Sequence, residues 1–310
     1  MKLVVLSLAY NEEKNIEKTI LSIPRQIPNI DEVKILVIND GSTDKTYELA
    51  LNAGADKIVS HKTNMGVGAA FMTGIRNAIS MDADLLVTLD GDGESSSEEI
   101  PVLINPIINN QFDVVVGIRF IKNIPSNYPR LRLFGNKIFS KIVSFVAGKK
   151  FADTQTGFRA YSKDALEDIS VVNDFTYTQE VLLDLHFKKF RIGDVPVTDS
   201  YRGESRAVKS VFRYTCNSLA IIIRSLVFHR PMMVFGLFGL FLSVIGITAK
   251  IIYGHFPHIA SVHPTLSSGL ILLGAVSFMM GLFASIVFKR QVFAERDLRH
   301  HLQRLRDSEK

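Results

Sequence analysis

Two long stretches without charged side chains restrict the fold of this sequence more than any other feature. Residues Pro231–Ala249 contain no Asp, Glu, Lys or Arg, and after Lys250 none occurs again across Ile251–Phe288. A helix needs about 20 apolar residues to cross the hydrocarbon core of a bilayer. A buried core hairpin of this length is unusual in a soluble domain. The sequence therefore predicts two transmembrane helices, approximately Met232–Tyr253 and Leu266–Phe288.

Basic residues flank the predicted spans on one side only. Arg224 and Arg230 precede the first span, and Lys289 and Arg290 follow the second, whereas the loop Gly254–Pro264 has no Lys or Arg. Lys and Arg mark the cytoplasmic side of membrane proteins. We therefore expect an integral protein of the cell (plasma) membrane whose N-terminal domain and C-terminal tail lie in the cytoplasm.

The net charge of +5 favours an anionic partner. A membrane surface or phosphate groups explain this charge more simply than nucleic acid does. The single cysteine, Cys216, excludes an internal disulfide and is typical of a reducing compartment.

The N-terminal part alternates short apolar runs with helical patterns. Runs such as "KLVVLSL", "VKILVIND", "DLLVTLD" and "FDVVVGIR" are predicted strands. Continuously apolar strands separated by helices indicate an α/β fold, a mostly parallel sheet with helices on both faces. The predicted domains are 1–206 for this sheet, 207–230 for interfacial amphipathic helices, 231–288 for the transmembrane hairpin and 289–310 for a basic tail.

An acidic cluster follows one of the predicted strands. In "VTLDGDGESS", Asp90, Asp92 and Glu94 stand at alternate positions. A solvated acidic turn is one interpretation. An EF-hand loop is excluded because its sixth position needs Gly and here is Ser95. A divalent-metal site is the other interpretation, since alternate residues of an extended segment point the same way.

Three polar clusters fall where predicted strands end. They span residues 10–13, 39–44 and 90–94. In open α/β sheets, ligands bind beyond the carboxyl ends of the strands. The three clusters together therefore predict one site at this edge of the sheet and favour the metal interpretation of the acidic cluster.

Six motifs in this order resemble a known enzyme family. They are "AYNEE", "INDGSTDKT", "NMGVGAA", "TLDGDGE", "TQTGFRAYS" and "GESR". The chain resembles family 2 glycosyltransferases of the GT-A (Rossmann-like) fold. It is most similar to the membrane-anchored polyprenyl-phosphate glycosyltransferases, the group that contains dolichol-phosphate mannose synthase. The motifs cover about Leu3–Arg206, and the two-span tail extends the likeness.

The resemblance implies residues that bind a nucleotide sugar. Tyr10 and Glu12 stand where the family contacts the nucleotide, and Asp40 stands where a carboxylate reads the base. Asn39 replaces a second acid that is usual in relatives, which leaves the base preference open. Arg119 falls on a position associated with diphosphate or sugar contacts, and a solvated charge after a strand is the alternative.

The resemblance also implies a metal cofactor. Asp90 and Asp92 match the D-x-D pair that holds Mg²⁺ or Mn²⁺ on the diphosphate, with Asp92 also assigned to catalysis. Glu94 stands where many relatives have Gln and is a third expected metal ligand.

The remaining motifs are implied to bind the acceptor and phosphates. Arg159 is expected to meet the acceptor phosphate, and Asp153 to orient the acceptor or accept a proton, with a turn cap as its alternative. Arg202 and Arg206 are the candidates for a further phosphate contact, and which of them makes it is open. Gln179 is loosely placed near the donor sugar, together with the neighbouring Glu180.

The implied reaction is inverting transfer of one sugar from a nucleotide diphosphate donor to a polyprenyl (dolichyl or undecaprenyl) phosphate at the cytoplasmic face. Two alternatives stay open. Processive polysaccharide synthases carry a Q-x-x-R-W motif and more spans, whereas this chain has no Trp. A noncatalytic membrane-tethered nucleotide-binding subunit is the other. The oligomeric state is also open, including a homo-oligomer.

Overall fold

The computed structural model describes residues 1–119, 128–171, 176–198, 211–255 and 264–308. It forms two compact units, Met1–Ile222 and Ile223–Lys310. The predicted domain boundary after residue 206 lies outside the described residues.

One seven-stranded sheet organises the first unit. Its strands are β1 (Lys2–Ala9), β2 (Glu32–Asn39), β3 (Lys57–Ser60), β4 (Leu85–Asp90), β5 (Val114–Ile118), β6 (Arg159–Ser162) and β7 (Ile192–Pro196). The order across the sheet is β3-β2-β1-β4-β6-β5-β7. The pairs β1–β2, β1–β4, β2–β3 and β5–β7 are parallel, and β6 runs antiparallel to both of its neighbours. The predicted, mostly parallel sheet is confirmed, and the antiparallel β6 is an addition that the sequence did not indicate.

The strands are apolar because the sheet is covered on both faces. In β1 every residue from Leu3 to Ala9 is buried, and β5 is buried throughout. Helices of this unit are α1 (Ile16–Leu21), α2 (Thr46–Asn52), α3 (Val67–Ser80), α4 (Ile100–Ile108), α5 (Arg130–Ala147), α6 (Lys163–Asp168) and α7 (Thr178–Phe187), with a 3₁₀ turn at Ser97–Glu99. A helix α8 (Val211–His229) follows and crosses the boundary between the units.

Two long apolar helices dominate the second unit. They are α9 (Pro231–His255) and α10 (Pro264–Ser308). Segments Pro231–His255 and Thr265–Gln291 are long and apolar enough to cross a membrane, and only 17% of each apolar window is buried. The helices of a core hairpin in a soluble domain would be mostly buried. Helix α10 continues through most of the predicted basic tail, and residues 256–263 of the predicted loop lie outside the described residues.

Small residues allow α9 and α10 to pack closely. A side chain at Gly246 would meet the carbonyl oxygen of Ser267 at 2.7 Å, and one at Gly239 would overlap the Gly274 carbonyl. Ser277 donates a 2.9 Å hydrogen bond to the carbonyl of Phe235. Close backbone approach at glycines is typical of helix pairs in membranes. There, van der Waals packing drives helix association, because the hydrophobic effect does not act between helices in lipid.

Candidate active site

The carboxyl ends of three adjacent parallel strands bring the predicted polar clusters together. Ala9 pairs with Asn39 on β2, and Leu8 pairs with Asp90 on β4. Tyr10 and Asp40, the next residues of their strands, therefore share one edge of the sheet with Asp90. This is the edge at which ligands bind in open α/β sheets.

The loops after β1 and β2 are bonded to each other. The backbone N–H of Asn11 donates to Ser42 Oγ at 2.9 Å, and that of Thr43 donates to Asn11 Oδ1 at 2.8 Å. The backbone N–H of Glu12 donates to Thr46 Oγ1 at 2.8 Å. Asn11 has a φ of +54°, a region that Asn tolerates better than most residues. The neighbouring Tyr10 is 41% exposed at the edge of the site.

The Asp40 carboxylate is hydrogen-bonded to the backbone just before helix α3. Its Oδ1 accepts from the backbone N–H of Met65 and its Oδ2 from that of Gly66, both at 2.9 Å. His61 Nδ1 lies 2.7 Å from the same Oδ1, and His61 Nε2 lies 3.0 Å from Thr73 Oγ1. Both carboxylate oxygens of Asp40 thus already accept hydrogen bonds inside the protein. A nucleotide base that contacts Asp40 would have to share these oxygens with the backbone N–H groups and His61.

His61 was not singled out from the sequence. A signal was present, because His61 directly follows β3, the next parallel strand beyond β2, and so belongs to the same edge of the sheet. Its partner Asp40 is 21 residues away, and such pairings are set by the tertiary fold.

The acidic cluster adopts a turn. Strand β4 ends at Asp90, Gly93 has a φ of +67°, and the Glu94 N–H donates to Asp92 Oδ1 at 3.0 Å. Asp90, Asp92 and Glu94 therefore do not alternate along an extended strand, and the prediction that they converge for that reason is wrong. No group of three or more His, Cys, Asp or Glu side chains among the described residues is placed to hold a metal ion.

The chemistry of the acidic pair nevertheless fits a divalent cation. Mg²⁺ is usually held by one or two carboxylates together with substrate phosphates and water, in contrast to a cage made entirely of protein ligands. Asp90 and Asp92 supply such a partial set of hard oxygen donors, both half-buried at the strand end.

A buried layer lies directly behind Asp90. A Cβ added at Gly157 would stand 2.7 Å from Asp90 Oδ2, and Thr88 Oγ1 donates to the Gly157 carbonyl. Tyr177 is also buried here and stacks on Phe71 with ring centroids 3.8 Å apart. Burial, followed by the charge of Asp90, holds the pKa of the Tyr177 hydroxyl well above its usual range. No motif in the sequence indicated this layer.

Arg119 and Asp153 form a bidentate ion pair. Arg119 Nε donates to Asp153 Oδ2 at 2.8 Å, and Nη2 donates to Oδ1 at 3.2 Å. Burial alone raises the pKa of the Asp153 carboxyl, but the charge and hydrogen bonds of Arg119 outweigh it, so this pKa lies below its usual range. Asp153 also accepts from the Gln155 N–H at 3.1 Å, a contact that agrees with the alternative interpretation of Asp153 as a turn cap. An ionised, paired carboxylate is a weak proton acceptor, which favours a structural role.

Arg159 differs from its expected placement. It is fully buried on β6, where Nη1 donates to the Thr178 carbonyl at 2.6 Å and Nη2 to the Thr154 carbonyl at 3.1 Å. The cause is its position in the sheet, because Arg159 pairs with the buried Thr88 on β4 and faces the same covered side. The expectation that this guanidinium is presented to an acceptor phosphate does not agree with its burial.

The remaining residues expected near the donor sugar or a phosphate lie on α7 or outside the described residues. Gln179 is fully buried in the first turn of α7, and its amide atoms have no hydrogen-bond partner among the described residues. Glu180 follows it in the same helix. Arg202 and Arg206 lie outside the described residues, so their phosphate contacts stay predictions.

The sequence matches the glycosyl transferase family 2 profile over residues 4–170, just over half of the chain. The chain belongs to glycosyl transferase family 2. The family resemblance inferred from its motifs is thereby confirmed. The match spans both acid positions of the D-x-D pair and the strands β1 to β6 that form the site.

Curated relatives align with about two thirds of the chain. A UDP-N-acetylglucosamine–dolichyl-phosphate N-acetylglucosaminyltransferase of Methanococcus voltae is 34% identical over 228 residues, which are 66% of this chain and 89% of the relative. A polyprenol monophosphomannose synthase of Mycolicibacterium smegmatis is 31% identical over 212 residues, covering 64% of this chain and 77% of the relative.

A solved structure has a similar fold. Glucosyl-3-phosphoglycerate synthase of Mycobacterium tuberculosis, crystallised with Mn²⁺, UDP and phosphoglyceric acid, aligns with a TM-score of 0.56 and 19% identity, over 73% of this chain and 77% of that chain. At this identity the likeness concerns the fold alone, and it agrees with the predicted GT-A-like sheet.

Proposed function

We propose that this family 2 glycosyltransferase moves one sugar from a nucleotide diphosphate donor to a polyprenyl phosphate, with inversion, at the cytoplasmic face of the cell membrane. The observation that carries the proposal is the Asp90–Asp92 pair at the carboxyl end of β4 in a chain that also presents two exposed apolar helices. Relatives named for dolichyl-phosphate and polyprenol transfer support the acceptor class.

The donor is assigned to the shared edge of β1, β2 and β4. Tyr10 offers an exposed ring to the nucleotide, and Asp40, at the end of β2, is joined to His61 and Met65 in the loop that follows β3. Asp90 and Asp92 would hold Mg²⁺ or Mn²⁺ against the diphosphate. A bound cation there supplies charge neutralisation for the departing nucleotide diphosphate.

The acceptor needs no strong base. Its phosphate oxygen is already anionic when it attacks the anomeric carbon, so the new carbon–oxygen bond forms as the bond to the nucleotide diphosphate breaks, and no proton has to move. The pairing of Arg119 with the buried Asp153 is consistent with this chemistry because it leaves Asp153 ionised and engaged. Catalysis then rests mainly on positioning and electrostatic stabilisation.

A donor screen with a matched acceptor control tests the proposal. The full chain, purified into lipid nanodiscs, would receive radiolabelled nucleotide sugars and either a polyprenyl phosphate or the polyprenol of the same length. We expect label in lipid with one donor, dependent on Mg²⁺ or Mn²⁺, and only with the phosphorylated acceptor. Equal labelling of polyprenol, or transfer only to water-soluble acceptors, would overturn the acceptor assignment.

A further inference from the structure

The Asp40 carboxylate has few acceptor sites left for a nucleotide base. An ionised carboxylate has about four lone-pair sites, two on each oxygen. Oδ1 accepts from the backbone N–H of Met65 at 2.9 Å and lies 2.7 Å from His61 Nδ1. Because an ionised carboxylate only accepts, His61 Nδ1 carries the proton of that hydrogen bond. Both sites of Oδ1 are therefore filled.

The second oxygen of Asp40 keeps one acceptor site. Oδ2 accepts from the backbone N–H of Gly66 at 2.9 Å and has no other partner among the described residues. The side chain is 6% exposed, so a ligand reaches only a small part of it. Three internal donors against about four sites leave room for one donor from a base.

The loop between β3 and α3 is held in this arrangement from two sides. A Cβ added at Gly41 would stand 2.5 Å from the backbone nitrogen of Asn64, so the loop lies directly against Gly41. On the far side of the His61 ring, Nε2 lies 3.0 Å from Thr73 Oγ1 on α3. Moving the loop or the imidazole ring away from Asp40 would disrupt these contacts.

Asn39 does not add a second carboxylate beside Asp40. Its side chain is buried, its Oδ1 accepts from the Ser42 N–H at 3.1 Å, and its Nδ2 donates to Ser60 Oγ at 3.2 Å. Both ends of the amide are thus engaged inside the protein.

Bases differ in the number of donors that they present on the edge that proteins read. Guanine presents N1–H and N2–H side by side, and a carboxylate pairs with this edge through both oxygens. Uracil and thymine present a single imide N–H at N3. Cytosine and adenine have a lone pair at the corresponding ring nitrogen, which a carboxylate repels. One remaining acceptor site matches uracil or thymine, whereas it leaves one guanine donor unpaired, which weakens binding.

We propose that the nucleotide donor carries uracil or thymine, and that His61 is a positioning residue that excludes guanine by filling Asp40 Oδ1. The inference rests on the proposed function, because it needs a nucleotide diphosphate donor at the edge of β1 and β2. His61 acts through Asp40, since its own side chain is only 9% exposed.

Equilibrium binding of nucleoside diphosphates tests the base without turnover. The full chain in lipid nanodiscs, with saturating Mn²⁺, would be titrated with UDP, dTDP, GDP, CDP and ADP by isothermal titration calorimetry. We expect UDP or dTDP to bind at least about tenfold more tightly than the other three nucleotides. The tighter of these two identifies uracil or thymine as the base.

Variants at position 61 test the role of the imidazole. His61→Leu removes the donor to Oδ1 and should lower the preference for the better of UDP and dTDP over GDP by about fivefold or more. His61→Gln, whose amide reaches toward Thr73, should do the same and replaces His61→Leu if that variant does not fold. His61→Asn keeps an N–H near the position of Nδ1 and should restore most of the preference. Thr73→Val is the matched control, because it leaves the contact between His61 and Asp40 in place.

Each outcome affects a different part of the inference. GDP, CDP or ADP binding as tightly as UDP and dTDP would overturn the base assignment and leave the proposed function intact. An unchanged preference in the folded Leu or Gln variant, or an equal loss in Thr73→Val, would overturn the role of His61. If none of the five nucleotides binds, the proposed function fails as well.

Discussion

Replacing Gly157 by Ala should displace the first carboxylate of the D-x-D pair without disturbing the fold. An added Cβ would stand 2.7 Å from Asp90 Oδ2, 3.1 Å from Oδ1 and 3.2 Å from Cγ. Gly157 is not among the residues with positive φ, so its backbone accepts Ala without strain. The Gly157 carbonyl is held by Thr88, which limits how far the backbone can retreat. The Asp90 carboxylate must therefore move instead.

The size of the effect follows from that displacement. Ordinary contact begins at 3.4 Å, so Oδ2 must shift by about 0.7 Å. Misplacement of about 1 Å at a reacting centre can cost about 100-fold in rate. We therefore expect Gly157→Ala to weaken Mn²⁺ binding in the presence of nucleoside diphosphate by roughly 10- to 100-fold, with a similar loss of kcat/KM. The free energy of unfolding should change by no more than about 1 kcal/mol.

Mn²⁺ titration followed by electron paramagnetic resonance measures this affinity without turnover. Gly135→Ala is the matched control, because a Cβ there meets nothing within 4 Å. The control should bind Mn²⁺ like the parent protein and should be no less stable, because Ala replaces Gly inside helix α5. Unchanged Mn²⁺ affinity in folded Gly157→Ala would refute the reasoning, and so would an equal loss in Gly135→Ala.

Three further outcomes are expected. Asp92→Asn should abolish metal-dependent transfer with little change in thermal unfolding, and Asp90→Asn should have a similar or smaller effect; near-normal activity of both variants at saturating Mg²⁺ would contradict the site. Because Arg119 holds the folded-state pKa of Asp153 below its unfolded value, this carboxylate stabilises the fold fully above the unfolded pKa of about 3.9, and the contribution disappears as pH falls through the lower folded pKa. Acid unfolding monitored by near-ultraviolet circular dichroism should therefore be less steep in Asp153→Asn, and an unchanged pH profile would count against the pairing. Gly239→Leu should destabilise the α9–α10 hairpin by about 1–3 kcal/mol in detergent unfolding experiments, because a side chain there overlaps the Gly274 carbonyl; a variant as stable as the parent would argue against this packing.

The sequence was sufficient to predict most of the fold because the decisive signals are local. Apolar runs bounded by helical patterns identified β1, β2, β4 and β5. The length of the two stretches without charged residues identified α9 and α10. Strand β6 was not predicted. It has only four residues, "RAYS", and its antiparallel position between β4 and β5 depends on long-range pairing.

Within the site, the sequence predicted which residues lie at the same edge of the sheet. It did not predict the backbone conformation or the burial of these side chains. Tyr10, Asp40 and Asp90 could be placed at one edge because parallel strands end together. Spacing along the chain could not reveal that the backbone turns after Asp90. Nor could a motif show that Arg159 lies on the covered face of β6, since burial there depends on its register with Thr88.

The composition of the lipid product tests the central claim most directly. The purified full chain would be supplied with the donor found in the screen and a polyprenyl phosphate, and the product would be analysed by mass spectrometry and ³¹P nuclear magnetic resonance. The account predicts one added sugar on a lipid monophosphate, a phosphodiester with a single phosphorus, and an anomeric configuration opposite to that of the donor. A lipid diphosphate, a product with several sugars, or retained anomeric configuration would contradict it.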